Sequence, residues 1–382
     1  MTSGSGNEVT MVQCAIMRGG TSKAVFLSPE AIPDPGTERD EAITKIFGSG
    51  DPRQIDGLGG ADILTSKVAI VGPSDRPHVD VDYTFGQVGI GERTVDWNGN
   101  CGNISAAVGV YAIEEGYVQA MEPTTEVVIR NTNTGSILRA VVPVSAGSPS
   151  VDGDYQISGV PGSGAEIRLD FAATAGATTG NILPTGSVRD TLTVEGTRGL
   201  DLEVSLVDVA KPAVFFRATD IGLIGTEPPS AFTPDVLDVF LSIQSAAAQL
   251  IGLDPSLGLP RPAAVAAPQA FVPFNDPEHV VAAEQVDILG RWVVVPPPKV
   301  HKAYAGTGAV CTGVAARLDG TVVNEIASKS GSLVRIGHPS GVFPVRVVIE
   351  DEQLKEASFS RTARRLMQGT AYIQGGAASG ER

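Results

Sequence analysis

The sequence predicts an α+β protein with two similar halves, each containing a strand-rich region, a glycine-rich turn and a cysteine at the start of an apolar helix. Glycine (45 residues) and proline (26) are abundant, and aromatic residues make up only 5%. Together with many Val, Thr and Ile, this composition is typical of short strands joined by tight turns. Cys101 and Cys311 each precede an apolar segment. A chain of 382 residues exceeds one ordinary core, so we expect two domains, 1–187 and 188–382.

In the first half, the apolar patterns predict strands and two helices. Residues 11–28 are interpreted as a strand, a glycine turn and a second strand. A short helix is expected from Glu38 to Phe47, because Thr37 can cap its start and Gly48 can end it. The apolar run after Cys101 predicts a helix over 102–116. The other expected elements are a strand at 66–71, a strand pair within 79–95, and strands near 124–130 and 136–144.

In the second half, the same order of elements returns with weaker signals. Between about 147 and 187 the composition shifts towards Gly, Ser, Ala and Thr, so the domain crossing is expected there. A strong helix is expected at 234–250, with Thr233 as its cap and Pro234 as its first residue. The proline-rich loops at 255–268 and 296–298 have no clear element. The other expected elements are strands near 190–196, 202–209 and 213–217, a helix at 312–317, and an amphipathic helix at about 350–368 that is compatible with a return to the first domain.

Charge and cysteine content exclude several classes of protein. The formal net charge of −15 argues against a nucleic-acid partner, which needs a basic face to neutralise phosphates. Three cysteines far apart fit a reducing compartment better than a disulfide framework. The first residues have neither a basic segment nor an apolar core, and no apolar run is long enough to cross a membrane. We therefore expect a soluble cytoplasmic protein with no membrane partner.

Cys101 has the sequence context of a functional thiol. It lies between two Asn-Gly-type turns and directly precedes the apolar helix. The first turn of a helix has unpaired backbone N–H groups and a partial positive charge, which bind anions and favour a thiolate. Gly102 leaves room for a ligand to approach those amides. The alternative is a buried structural cysteine, which would more often lie within the apolar stretch.

Two further segments combine cations with glycine turns. Lys67 begins an apolar strand, and it is either a solvent-facing lysine or a base at the edge of a cleft. The segment 17–23 contains two cations, two hydroxyls and two glycines, and it is either an ordinary hairpin or a clamp for a carboxylate. Arg53 lies beside another glycine loop and gives a weaker signal.

Metal and cofactor motifs are missing from the sequence. The four histidines are dispersed without ligand spacing. No Gly-x-Gly-x-x-Gly follows a strand in a dinucleotide-binding context, and no Walker loop or nucleophile elbow is present. We therefore expect neither a metal nor a cofactor.

Several segments together resemble the PrpF family, which includes 2-methylaconitate cis-trans isomerase, aconitate isomerase, 3-methylitaconate isomerase and 4-oxalomesaconate tautomerase. The resemblance extends in order from about residue 11 to residue 346. It implies the diaminopimelate epimerase fold, in which two pseudo-symmetric domains each wrap a mixed, barrel-like sheet around a central helix, with the active site between them. The segments are Met17–Lys23, Gln54–Ala61, Thr65–Lys67, Asp82–Val88, Asp96–Val108 and Gly306–Thr312.

The resemblance also implies a cofactor-independent reaction on an unsaturated di- or tricarboxylate, whose double bond moves by a 1,3-allylic proton transfer. Lys67 would remove the proton, and Cys101 would return one or polarise the intermediate. A base must be neutral, so burial and the nearby Arg18 or Lys23 would have to oppose the effect of an anionic substrate on Lys67. The residues expected to bind substrate are Arg18, Gly19, Gly20, Thr21, Ser22, Lys23, Arg53, Ser66, Gly102, Asn103, Gly306, Thr307, Gly308 and Cys311.

Several alternatives remain open at this point. The segments Phe85–Val88 and Val95–Asn100 are closer to the methylaconitate and aconitate branch than to the oxalomesaconate tautomerases, and 3-methylitaconate isomerase is a further candidate. Cys311 matches the family's second cysteine position, so a two-cysteine amino-acid racemase is a rival on the same fold. A non-catalytic, strand-rich binding protein is a third interpretation. A homodimer is one assembly that the sequence allows.

Overall fold

The computed structural model of the chain describes residues 8–157, 159–194, 201–328 and 331–375. Contacts between residues divide the chain into two compact units. Unit 1 comprises Met1–Leu169 and Ser360–Arg382, and unit 2 comprises Asp170–Phe359. The crossing lies at 169–170, within the segment 147–187 where it was expected although before the 187–188 bound, and Ser360–Arg382 belongs to unit 1. No helix within the described ranges is both long enough and apolar enough to cross a membrane.

The elements of the first half follow the expected order. The expected pair within 79–95 is one long strand with a two-residue strand beside it. The first helix begins at Thr37, with Gly36 before it, and ends at Gly48 in the left-handed conformation (φ 67°). The elements are β1 (Glu8–Gly19), β2 (Ser22–Leu27), α1 (Thr37–Phe47), β3 (Lys67–Pro73), β4 (Val81–Val88), β5 (Val95–Asp96), α2 (Gly102–Glu114), β6 (Thr124–Asn131), β7 (Ile137–Ser145), β8 (Ser148–Pro149) and β9 (Ile167–Asp170).

The second half contains more strands than the sequence predicts. Residues 195 and 196 of the strand expected at 190–196 lie outside the described residues. The elements are β10 (Asp190–Thr193), β11 (Asp201–Val209), β12 (Lys211–Arg217), α3 (Pro234–Leu250), β13 (Arg261–Ala266), β14 (Ile288–Val294), β15 (Lys299–Val300), α4 (Gly306–Ala315), α5 (Val322–Ile326), β16 (Leu333–His338), β17 (Gly341–Glu350), β18 (Gln353–Arg361) and β19 (Ala363–Gly375).

Both units have the same order of strand pairings. In unit 1, the β1–β2 hairpin is followed by parallel β2–β3, antiparallel β3–β4, parallel β4–β6 and antiparallel β6–β7. In unit 2, the β11–β12 hairpin is followed by parallel β12–β13, antiparallel β13–β14, parallel β14–β16 and antiparallel β16–β17. α1 and α3 occupy the same place in this order, and so do α2 and α4. The expected α+β class with two pseudo-symmetric halves is confirmed.

Each unit packs its strands around one apolar helix. Every residue from Ile104 to Ile113 of α2 is buried, and α2 contacts β1, β2, β3, β6 and β7. Every residue from Gly308 to Ala315 of α4 is buried, and α4 contacts β11, β12, β16 and β17. A helix that is apolar on all sides is stable only when it is surrounded, which explains why neither helix has a polar face.

The helix expected at about 350–368 is wrong, because this segment forms β18 and the start of β19. Its composition favours a helix, but Asp351 and Glu352 adopt positive φ angles of 49° and 61° and make the tight turn between β17 and β18. β19 then pairs with β1 in antiparallel register, from Glu8 opposite Gly375 to Gly19 opposite Ala363. Pairing with a distant strand therefore outweighs local helix propensity.

The loop expected at 255–268 also conceals a strand. β13 lies within it and pairs with β12 on one side and β14 on the other. Its sequence, Arg-Pro-Ala-Ala-Val-Ala, has no alternation of polar and apolar residues because five of its six residues are buried. A strand buried on both faces loses the periodic signal on which a prediction relies.

Candidate active site

The start of α2 presents Cys101 as its N-cap residue. Cys101 has an extended backbone (φ −121°, ψ 105°), its side chain makes no capping hydrogen bond, and it is only partly buried. Ser105 fixes the turn before the helix, since its Oγ donates to the Cys101 carbonyl at 3.0 Å and to Asn100 Oδ1 at 3.2 Å. The thiol therefore lies beside the first-turn amides that begin with Gly102, where an anion is favoured.

The β1–β2 turn packs directly on this helix start. A Cβ on Gly19 would lie 2.3 Å from the backbone oxygen of Asn103, and a Cβ on Gly20 would lie 2.2 Å from Asn103 Oδ1. Gly20 also has φ +50°, which glycine adopts without strain. Asn103 Nδ2 donates to Thr21 Oγ1 at 3.1 Å. The structure thus brings four of the sequence-predicted site residues together, and both glycines are required by close packing.

Arg18 holds this turn against the last strand of unit 1. Its Nη1 donates to the carbonyl of Gly20 at 3.0 Å and to the carbonyl and hydroxyl oxygens of Thr362 at 2.9 and 3.0 Å. Burial lowers the pKa of Arg18, and the neighbouring Arg364 lowers it further. These contacts give Arg18 a positioning role within the protein.

Arg361 is a second cation at the start of α2, and sequence reasoning missed it. Its Nε donates to Asn103 Oδ1 at 2.9 Å. Burial lowers the pKa of Arg361 to about 10, while the nearby Tyr155 and Cys101 side chains oppose that shift. Arg361 lies at the end of β18, within the segment expected to be a helix. No local signal could reveal it, because β18 pairs with β17 and β19 pairs with the distant β1, and these pairings bring Arg361 to Asn103.

Lys67 is the first residue of β3 and is 7% exposed. Its strand neighbours Val68 and Ile70 pack in the cluster around α1, so alternation places Lys67 on the opposite face, towards α2. Its Nζ donates to Gln87 Oε1 at 2.5 Å and lies 5.3 Å from the Phe85 ring centroid. Within the described part of the chain, Lys67 forms no ion pair and no direct hydrogen bond to Cys101.

The loop before β3 is held by buried amide groups. Ser66 Oγ donates to Gln54 Oε1 at 2.6 Å, and Gln87 Nε2 donates to the Ser66 carbonyl at 2.9 Å. The backbone N–H of Lys23 donates to the Leu64 carbonyl at 2.9 Å, which joins this loop to β2. Gln54 and Gln87 are further residues that the sequence did not nominate. The sequence indicates them only indirectly, because both lie within segments that resemble the PrpF family.

Ser22 lies beside the residues around Lys67, whereas Arg53 does not. Ser22 is buried, and its Oγ has no hydrogen-bond partner within the described residues. It lies two residues before Ala24, the parallel neighbour of Lys67, and therefore faces the same side of the sheet. Arg53 is exposed, and the described contacts do not join its side chain to the cluster.

The four remaining predicted residues belong to unit 2. α4 begins at Gly306 with Ala305 as its N-cap. A Cβ on Gly306 would lie 3.0 Å from the Phe359 ring, and one on Gly308 would lie 2.9 Å from Trp292. Thr307 lies between them in the first turn. Both glycines therefore permit close packing of aromatic rings on the helix.

Cys311 does not begin a helix, so the expected bounds 312–317 are wrong. It is the sixth residue of α4 and is fully buried. Its Sγ donates to the Val207 carbonyl at 3.3 Å, and burial raises the pKa of the thiol. The sequence misplaced the helix start because Gly306 and Gly308 resemble a turn, whereas both lie inside the helix.

Groups of His, Cys, Asp and Glu suited to a metal ion were also sought. Among the described residues, no three such side chains are arranged to hold one. The candidate site in unit 1 thus consists of a partly exposed thiol, a buried lysine, half-buried guanidinium groups and the amides of a helix start. Such a set can bind carboxylates and move a proton.

Comparison with known proteins agrees with this architecture. The family model described as PrpF protein matches residues 9–374. The 3-methylitaconate isomerase of Eubacterium barkeri is 46% identical over 375 residues, which cover 95% of this chain and 97% of that protein. The solved structure of methylitaconate-delta-isomerase matches with a TM-score of 0.88 at 44% identity, covering 98% of this chain and 99% of that one.

A more distant solved structure shows how widely the fold is shared. A hydroxyproline epimerase from Agrobacterium vitis matches with a TM-score of 0.50 at 11% identity, covering 95% of this chain and 92% of that one. This likeness concerns the epimerase-like fold alone. The family match, by contrast, extends over nearly the whole chain and is accompanied by high identity. The chain therefore belongs to the PrpF family and is an isomerase.

Proposed function

We propose that this protein moves a C=C bond by 1,3-allylic proton transfer in an unsaturated di- or tricarboxylate. The observation on which this rests is the arrangement in unit 1, where the partly exposed start of α2 holds Cys101 and the α2 face of the sheet holds the buried Lys67. The reaction needs a base, a proton donor and groups that stabilise a dienolate. Each of these has a candidate among the described residues.

Lys67 is the proposed base. It must be neutral when it removes the proton from the carbon next to the double bond, and its hydrogen bond to the uncharged amide of Gln87 is compatible with that form. A carboxylate partner would instead favour the ammonium form. Low exposure and the Phe85 ring limit water around Nζ. These features support Lys67 as the proposed base.

Cys101 is the proposed partner that returns the proton or polarises the intermediate. The dienolate develops negative charge on a carboxylate oxygen, and the amides of Gly102 and Asn103 are the preorganised donors proposed to stabilise it. The half-buried Arg361 adds a positive charge on the same side through its bond to Asn103. The turn from Arg18 to Lys23, together with Ser66, is proposed to position the substrate carboxylates.

The buried state of Cys311 supports this mechanism over a two-cysteine racemase. A racemase of that type needs two thiols that both reach the substrate, one on each face of the reacting carbon. Cys311 is fully enclosed, and its proton is bonded to a backbone carbonyl. We therefore propose that Cys311 packs the inside of α4 and does not bind substrate. The proposed roles of Gly306, Thr307 and Gly308 are limited to shaping the start of α4.

The substrate is proposed to be a small unsaturated polycarboxylate, with 3-methylitaconate first in order of test. The 46% identity to 3-methylitaconate isomerase favours it, whereas the segments Phe85–Val88 and Val95–Asn100 favour the 2-methylaconitate or aconitate type. 4-Oxalomesaconate completes the set. These acids differ in a methyl, keto or carboxylate group, and a difference of one small group is worth about 1–3 kcal/mol in a pocket, so one acid should clearly lead.

Proton exchange in deuterated water tests the proposal. Each of the four acids is incubated with the protein, and NMR follows loss of the signals of the vinylic, methyl and allylic protons together with appearance of the isomer. We expect exchange at the allylic position and net isomerisation for at least one acid. If none of them exchanges a proton above the uncatalysed rate, the proposed function is wrong and a binding protein is favoured.

A further inference from the structure

The pseudo-symmetry of the two units pairs the proposed base with a cation in unit 2. In unit 1, Lys67 is the first residue of β3 and lies opposite Ala24 of β2 in parallel register. In unit 2, Arg261 is the first residue of β13 and lies opposite Ala213 of β12 in the same register. Arg261 is therefore the topological counterpart of Lys67.

A second cation lies beside Arg261. Lys211 precedes Ala213 by two residues, as Ser22 precedes Ala24 in unit 1. Residues two apart on a strand point to the same face, so Lys211 and Arg261 share a face of the unit 2 sheet. The opposite face is occupied by the core around α3, which includes Val214 and Ala264. The cations thus lie on the face that packs towards α4.

This pair has no acidic partner in the described part of the chain. Both side chains are half-buried. Arg261 Nη1 donates to the Val295 carbonyl, and the Lys211 ammonium has neither a hydrogen bond nor an ion pair among the described residues. Asp208, close by in sequence, already accepts from the backbone N–H groups of Thr178 and Thr179 at 2.9 and 2.7 Å.

The electrostatics of this arrangement favour an anion. Burial and the neighbouring Arg261 lower the pKa of Lys211 to about 8, and burial lowers the pKa of Arg261 as well. Two half-buried cations without an anion repel each other and have lost part of their hydration. A bound anion would offset both effects. A guanidinium and an ammonium side by side are a common way to bind a carboxylate.

We propose that Lys211 and Arg261 form a carboxylate-binding site on unit 2. The ligand is a small organic polycarboxylate that places one carboxylate on this pair. The choice of a polycarboxylate rests on the proposed function. Unit 1 has no matching pair of cations, because Ser22 occupies the position that corresponds to Lys211. Lys67, which corresponds to Arg261, is the proposed base. The duplicated fold would thus use one position for chemistry in unit 1 and for binding in unit 2.

Calorimetric binding of tricarballylate to the full-length protein tests the site. This saturated tricarboxylate has no double bond and cannot be isomerised. We expect Lys211→Met and Lys211→Gln to weaken its binding by about 10- to 100-fold, as when a charged hydrogen-bond donor is lost. Lys211→Arg keeps the charge and should bind within about threefold of the unaltered protein. Lys299→Met, at an exposed lysine of the same unit, is the matched control and should change nothing.

Two outcomes overturn the site. One is that both neutral variants fold and bind tricarballylate as the unaltered protein does, and the other is that the unaltered protein binds none. Proton exchange separates the site from the proposed function. Weaker tricarballylate binding in the Lys211 variants, with no exchange of any unsaturated acid, supports the site and contradicts the function. Normal exchange together with unchanged tricarballylate binding in those variants supports the function and contradicts the site.

Discussion

Cys101 and Gly102 stand at the start of α2, whereas Ala305 and Gly306 stand at the corresponding start of α4. The helices occupy the same place in the same strand order, and both are buried along most of their length. The residue before the helix carries a partly exposed thiol in unit 1 (Cys101) and a methyl group in unit 2 (Ala305). Duplication of the fold has therefore kept the packing while the reactive group is found in one unit.

The first residues of β3 and β13, which occupy equivalent positions in the two units, also differ. Lys67 is nearly enclosed and bonded to an uncharged amide, while Arg261 is half-buried and bonded to a backbone carbonyl. A lysine can lose its proton near neutral pH when its surroundings favour it, whereas a guanidinium stays charged. We therefore propose that equivalent positions serve proton transfer in one half of the chain and anion binding in the other.

The largest expected effect is that of Lys67→Met. Removing a general base typically lowers the rate by about 10²–10⁴-fold, so kcat for the best acid should fall by that factor. Lys211→Met should instead leave kcat within about tenfold, because it removes a cation proposed to bind an anion and does not remove the base. Steady-state kinetics on both variants, with circular dichroism to check folding, make the comparison. A fall of less than tenfold for Lys67→Met would remove Lys67 as the base.

Cys101→Ser and Cys311→Ser should differ sharply. Cys101→Ser should lose most of the activity, because a hydroxyl is a much weaker acid than a thiol. Cys311→Ser should keep most of it and lose about 1–2 kcal/mol in the free energy of unfolding, as expected for a small change to a buried side chain. Turnover and urea unfolding of both variants are the measurements. Complete inactivation of both, with both folded, would favour a two-thiol racemase.

Local patterns sufficed for most elements of the first half of the chain and failed at several in the second half. The Gly19–Gly20 turn and the apolar run 104–113 have clear local signals with glycine at the boundaries, and both were predicted. β13 and the 350–368 segment were missed because burial on both faces or pairing with β1 decides their structure. Their strand partners lie outside the local window of sequence on which such a prediction relies.

The candidate site divides in the same manner. Cys101, Gly102 and Asn103 were predicted from the physics of a helix start. Arg361 was not, because its contact with Asn103 spans 258 positions. Lys211 and Arg261 were also missed, since their significance depends on strand register that the sequence does not display. The thiol at position 311 misled the prediction, because two glycines disguised the true start of α4.

A smaller effect is expected from Gly19→Ala. The added Cβ would lie 2.3 Å from the backbone oxygen of Asn103, which cannot move without shifting the start of α2. Overpacking of this kind costs about 1–3 kcal/mol, and activity should fall because the amides beside Cys101 are displaced. Gly91→Ala is the matched control in unit 1, since its Cβ would meet nothing within 4 Å. Thermal unfolding and turnover of both variants give the comparison. Equal behaviour of the two would mean that the β1–β2 turn does not set the position of α2.

The smallest expected effect on the enzyme, and the most direct comparison of the two helix starts, comes from Ala305→Cys. Ala305 is partly exposed at the N-cap of α4, so a thiol there should be presented as Cys101 is. In the unaltered protein, iodoacetamide should modify Cys101 well before Cys14 and Cys311, because both of these are buried and burial raises the pKa of each thiol. Mass spectrometry should show one fast site in the unaltered protein and two in Ala305→Cys. Turnover should be unchanged, since a thiol in unit 2 has no Lys67 counterpart able to act as a base. If Cys14 reacts first, or if the new thiol stays unmodified, a helix start is not what presents Cys101.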